Sequence, residues 1–139
     1  MAAMPDVNNI RINNLPRKAD ARGNLVVAEF SEFVPFAVAR LFYVYGVPVN
    51  TSRGHHAHRH GRQYYVCQSG RVRVDLHDGT KSRRIELNPD QAVLIENGIF
   101  ASETYLDQNS VLLVLCDRSY DRVDYIESME EFLASISEQ

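Results

Sequence analysis

The stretch Arg71-Val72-Arg73-Val74-Asp75-Leu76-His77 alternates polar and apolar residues without a break and runs straight into Asp78-Gly79. Successive side chains of a strand point to opposite faces, so a period of two specifies one wet face and one buried face. Asp-Gly then supplies the backbone of a tight hairpin turn. The same grammar recurs along the chain. Leu25 to Phe30, Val38 to Tyr45, Gln63 to Gln68, Ala92 to Ile95 and Ser110 to Cys116 are short runs rich in β-branched and aromatic residues. Arg22-Gly23-Asn24, Pro35, Asn88-Pro89-Asp90 and Asn97-Gly98 punctuate them. Residues 7 to 16 read as a short edge strand followed by a turn, because Pro16 cannot donate to a ladder. The run 110 to 116 is apolar on both faces and is expected to be central. At least seven short strands separated by turns predict an all-β sandwich or barrel. One helix is expected, at the end, where Ser128-Met129-Glu130-Glu131 forms a capping box with Phe132, Leu133 and Ile136 on one side.

At 139 residues the chain fits one domain, 1–139, long enough to bury a core without disulfides or a structural metal. Fifteen basic and 18 acidic residues give a net charge of -3, with no basic block to neutralise a run of phosphates, so nucleic acid is not an expected partner. The polar residues Asp6, Asn8, Asn9, Arg11, Asn13 and Asn14 stand where the apolar region of a signal peptide would be, and no apolar run is long enough to span a bilayer. Cys67 and Cys116 lie in hydrophobic runs and are expected buried and reduced, as in a cytoplasmic protein.

Four of the five histidines fall between positions 55 and 60. In a strand His56 and His58 project to one face, while His55, Ala57 and Arg59 project to the other. Such a pair inside a barrel can serve as metal ligands, as acid–base groups, or as hydrogen-bonded core residues. Paired titratable groups in a cavity are costly, which favours a function for them. Upstream, Arg40, Phe42 and Val44 share one strand face and Leu41, Tyr43 and Tyr45 the other, and one of these faces looks into the interior.

Gly54, His56-x-His58, four residues, Gln63, six residues and Gly70 resemble the first motif of the cupin superfamily, whose fold is the double-stranded β-helix or jelly roll. In metal-binding cupins the place of Gln63 is held by a Glu ligand, and a third His stands where Ala101 follows Phe100. An amide and a methyl cannot complete that coordination set, so neither a metal nor any other cofactor is expected. A narrower likeness runs from about Arg22-Gly23 to Phe132. Arg53-Gly54-x-His56-Ala57-His58, Gln63, Arg40-x-x-Tyr43 and Tyr120-Asp121-x-x-Asp124-Tyr125-Ile126 resemble the sugar 3,4-ketoisomerases, metal-independent cupins that act on dTDP-4-keto-6-deoxyglucose. Many relatives carry Trp-His at the place of Phe100-Ala101.

The resemblance implies a cupin jelly roll with a short C-terminal helix, a dTDP-linked keto sugar as partner, a homodimer and a role in deoxyamino-sugar biosynthesis. The reaction would move a ketone from C4 to C3 through an enediol. On that reading His56 and His58 transfer protons at the sugar, since imidazole titrates near neutral pH. Arg53 or an inward-pointing Tyr43 stabilises the enediolate. Gln63 hydrogen-bonds a sugar hydroxyl or orients a histidine, and Arg40 takes the pyrophosphate. A nucleotide-sugar-binding cupin without activity, a 3,5-epimerase and a metal-dependent cupin are the competing readings. Tyr64 and Tyr65 read as strand packing, Arg71 and Arg73 as a solvated face and His77 as exposed.

Overall fold

The computed structural model describes residues 4–137. It contains twelve strands and one α-helix: β1 (Ile12–Asn14), β2 (Arg17–Asp20), β3 (Gly23–Val26), β4 (Arg40–Val44), β5 (Thr51–His58), β6 (Gln63–Ser69), β7 (Val72–His77), β8 (Ser82–Leu87), β9 (Gln91–Ile95), β10 (Phe100–Tyr105), β11 (Val111–Cys116), β12 (Tyr125–Ile126) and α1 (Met129–Ser137). Two five-stranded sheets, ordered β1-β9-β6-β11-β4 and β12-β5-β10-β7-β8, enclose the core, and every pairing is antiparallel. This is the jelly roll expected from the cupin likeness.

The alternation that defined β7 is realised in full, with Val72, Val74 and Leu76 buried and Arg73, Asp75 and His77 half-buried. The buried set joins Tyr65 and Cys67 of β6, Val93 and Ile95 of β9, Ala101 and Tyr105 of β10, and Leu112, Val114 and Cys116 of β11 in one apolar cluster between the sheets. Each Val, Leu or Ile of this set removed from water contributes on the order of 1.5–3 kcal/mol. Both cysteines are free and buried. Strand β11 lies between β6 and β4, one strand in from the edge.

Ser128 accepts the Glu131 N–H at 3.1 Å and starts α1, which lays Phe132 against Ala57, Phe100 and Ile126 on the outer face of the second sheet. Leu133, expected on that face, is exposed instead. The other departure is at residues 17 to 30. Rather than one strand from Leu25 to Phe30, the chain forms a hairpin of β2 and β3 that joins neither large sheet and is exposed throughout. His77 is also more than an exposed residue, because its Nδ1 accepts the Gly79 N–H at 2.9 Å and holds the Asp78-Gly79 turn.

Candidate active site

Three adjacent strands of the first sheet bring one polar row into the barrel. Arg40 of β4 is the register partner of Cys116 on β11, and Cys116 is the partner of Gln63 on β6. An Arg40 Nη2 and the Gln63 Nε2 each donate to the Cys116 Sγ at 3.5 Å. The same Arg40 Nη2 donates to the Tyr125 hydroxyl at 3.2 Å, and the Arg40 Nε is buried without a partner.

The second sheet supplies the histidines. His58 pairs with Tyr125 of β12, and His56 with Ala101 of β10. Ala57, between them, faces out against α1 and is fully buried there. The two imidazoles meet edge to face with centroids 5.1 Å apart, and Tyr125 packs on both, at 5.0 Å from His56 and 4.4 Å from His58.

His58 is 7 % exposed, and its Nδ1 lies 3.0 Å from the Asp124 Oδ2. Burial works against the Asp124 charge. The N–H groups of His60 and Gly61 and the His58 ring outweigh that, so the carboxyl titrates below its usual range. An ionised carboxylate only accepts, so His58 carries its proton on Nδ1 and presents a lone pair at Nε2. That Nε2 is buried and has no hydrogen-bond partner. Burial, assisted by the charge of Arg40, lowers the basicity of His58 in spite of Asp124. His56 is lowered too, to about 4, first by burial and then by His58. At neutral pH both rings are therefore uncharged bases.

Of the residues singled out in the sequence, His56, His58, Gln63 and Arg40 thus converge. Tyr43 does not. It lies on the outer face of β4, 60 % exposed, and stacks on Tyr45 at 6.0 Å. With Arg40 turned inward, the residue three positions on must point outward, which corrects the expectation of an inward hydroxyl. Arg53 is exposed on β5 and stands opposite Glu103, on the same sheet face as His56 and two residues along β10 from the His56–Ala101 pair. Asp124, Tyr125 and Cys116 received no individual role from the sequence. The first two lie within the Tyr120-to-Ile126 motif, and Cys116 was legible only as a buried thiol.

The residues present do not fit the donor set of a metal cupin. Gln63 and Ala101 offer an amide and a methyl, and among the described residues no group of three or more His, Cys, Asp or Glu side chains is placed to hold an ion.

Residues 8–137 match the family model described as FdtA: WxcM-like, C-terminal. The TDP-4-oxo-6-deoxy-alpha-D-glucose-3,4-oxoisomerase of Aneurinibacillus thermoaerophilus is 30 % identical over 123 residues, which is 88 % of each chain. Among solved structures, the WlaRB TDP-quinovose 3,4-ketoisomerase of Campylobacter jejuni is 33 % identical and superposes with a TM-score of 0.83 over 92 % of this chain and 99 % of its own. QdtA, a sugar 3,4-ketoisomerase from Thermoanaerobacterium thermosaccharolyticum in complex with TDP, is 27 % identical with a TM-score of 0.87 over 96 % and 98 %.

Proposed function

The chain belongs to the FdtA, WxcM-like C-terminal family, and from that premise we propose how its own residues carry out the isomerisation of a dTDP-linked 4-keto-6-deoxyhexose. The protein is a sugar-nucleotide 3,4-ketoisomerase that moves the keto group from C4 to C3. The chemistry requires removal of the acidic proton at C3, an enediol intermediate formed as the C4 oxygen gains a proton and consumed as the C3 hydroxyl gives one up, and delivery of a proton to C4.

The unpartnered, buried Nε2 of His58 carries the mechanism. Asp124 holds the ring in the tautomer that leaves this atom basic, the same use of a buried carboxylate that orients the imidazole of hydrolytic triads. His56, also neutral and half-buried beside it, is the second proton-transfer group. The pair moves protons at adjacent sugar carbons, and its two titrations are coupled. Arg40 is better placed to stabilise the enediolate than to take the pyrophosphate. Its guanidinium lies in the polar row within the field of His58 and keeps an unused donor, Nε. The exposed Arg53 is then the guanidinium available to the diphosphate. Gln63, which neighbours His58 and is held to Cys116, orients the ring or a sugar hydroxyl.

The assembly that fits this surface is a homodimer. Strand β4 is a sheet edge, and its Leu41 and Tyr43, with Tyr45 just beyond its end, leave it with an apolar outer face. Two reduced thiols support a cytoplasmic setting, and no described helix is long and apolar enough to cross a membrane.

Incubation with dTDP-4-keto-6-deoxyglucose in deuterated buffer, followed by NMR, tests the reading. A 3-keto product with deuterium at C4 is expected. Unchanged substrate, with no exchange at C3, would remove it.

A further inference from the structure

Glu103 has no part in the mechanism above, yet it is a carboxyl only 5 % exposed in the barrel interior. Strand β10 turns Ala101, Glu103 and Tyr105 inward. Ala101 pairs with His56, after which the ladder slips and Ser102 pairs with Gly54, so His55 is an extra residue on β5. Gly54 and His55 both have positive φ, 89° and 60°. Such a bulge re-aims the side chains that follow it. Here it allows Arg53 to stand opposite Glu103 while His56 keeps the parity of His58.

A Cβ on Gly54 would run into the Glu103 Oε2 and come within 3.3 Å of the Ala101 carbonyl oxygen. The carboxyl therefore fills the notch that the glycine leaves. Its side-chain hydrogen-bond partner is the fully buried Tyr65 hydroxyl, which reaches it from β6 in the opposite sheet. A carboxyl so placed costs folding free energy that an apolar side chain of the same volume would not.

We propose that Glu103 is a positioning residue for His56: lodged against Gly54 and tied across the barrel to Tyr65, it holds the bulge that sets where the His56 ring stands. This rests on the reading of His56 as a proton-transfer group. Burial pushes Glu103 up to about 7, with the Tyr65 bond and the more distant Arg53 charge acting against the rise. The groups that face it are Arg53 from β5, Tyr65 from β6, Tyr105 on its own strand and the apolar Val74 from β7. Around His56 stand His55 and His58 on its own strand, Tyr125 from β12 and Ala101 from β10. Ionisation of Glu103 near neutral pH thus changes the support of a ring that stays neutral over the same interval.

The test is Glu103→Gln, which keeps the shape and removes the titration. The imidazole resonances of His56 are followed by NMR from pH 5 to 9, together with kcat and KM for dTDP-4-keto-6-deoxyglucose. In the wild type His56 is expected to show an inflection near pH 7, well above its own titration, with kcat changing in the same interval. Glu103→Gln is expected to lose both. Glu103→Ala, which removes the strut, is expected to lower kcat by up to ~10²-fold, with KM moving less. Identical His56 profiles in wild type and Glu103→Gln would overturn the proposal, and so would a wild-type kcat in Glu103→Ala. If Glu103→Ala fails to fold, the Gln variant still decides. Should the wild type not convert the sugar, the functional reading fails, while the NMR comparison tests Glu103 independently.

Discussion

The His58 Nδ1 lies 3.0 Å from the Asp124 Oδ2 across 66 residues of chain, and the contact fixes which nitrogen of His58 is free to act as a base. Replacing Asp124 with Asn keeps the size but permits the other tautomer, with the proton on Nε2. Asp124→Asn and His58→Asn are each expected to lower kcat on the order of 10²–10⁴-fold. Steady-state assays on dTDP-4-keto-6-deoxyglucose, with circular dichroism to show an intact fold, check this. An Asp124→Asn enzyme with wild-type kcat would mean that His58 works through a different atom.

His56 titrates at about 4 in the fold and near 6.5 when exposed. A histidine with a lowered pKa supports the fold above its unfolded value, and that support is lost as pH falls through the folded value. Between pH 6.5 and 4 the unfolded chain takes up the proton that the native chain refuses. His58, lowered in the same direction, adds to the effect. The loss from His56 is about 2 kcal/mol once partial solvent access is allowed for. Urea unfolding at pH 6.5 and 4.5 should show it, and His56→Asn should shrink the difference. The same shift keeps His56 a base down to pH 5, so the acid limb of kcat/KM should fall below the usual histidine range.

Glu103 acts in the opposite sense. Its pKa is raised from 4.5 to about 7, so its contribution is complete below pH 4.5 and declines as pH rises through 7, where the unfolded chain holds the charge more easily. The difference amounts to roughly 3 kcal/mol. Glu103→Gln should therefore gain stability over wild type at pH 8 and little or none at pH 4.5, as read from denaturant midpoints.

Much of this arrangement follows from alternation, which is local. The period of two placed Val72, Val74 and Leu76 inside and set Arg40 and Tyr43 on opposite faces, so Tyr43 could have been assigned outward from parity alone. The His56-x-His58 spacing likewise marked a same-face pair. What stayed hidden depends on contacts between distant segments. Nothing near His58 announces that Asp124 will dock on it, because the β5–β12 pairing brings them together. Ala101-Ser102-Glu103-Thr104 carries no apolar alternation and does not read as a strand, although it forms the strand paired beside His56 in the same sheet. Parity also fails at Gly54-His55, where an inserted residue resets it, and a bulge is fixed by the partner strand rather than by its own residues.

The outer face of β4 yields a prediction about assembly. Leu41 of β4 and Tyr45 just past its end are 53 % and 70 % exposed beside Tyr43, and β4 has one unpaired edge. If two copies cover these faces, Tyr45→Asp places a charge in the contact, and the mass by light scattering should fall to that of one chain. A wild type that is already monomeric would remove the homodimer.

Gly54 and Glu103 allow the bulge to be examined without any activity. Gly54→Ala meets two obstacles: a φ of 89° that alanine rarely adopts, and the Glu103 carboxyl in the space its methyl needs. The strain alone costs about 1–3 kcal/mol. Glu103→Ala empties the space but leaves the backbone strain untouched. The double variant should therefore be more stable than the sum of the single losses implies, by about 0.5–3 kcal/mol, the range for residues in direct contact. Strict additivity in a cycle of denaturant unfolding free energies would mean that the carboxyl does not occupy the notch, and that the bulge is held by its own hydrogen bonds.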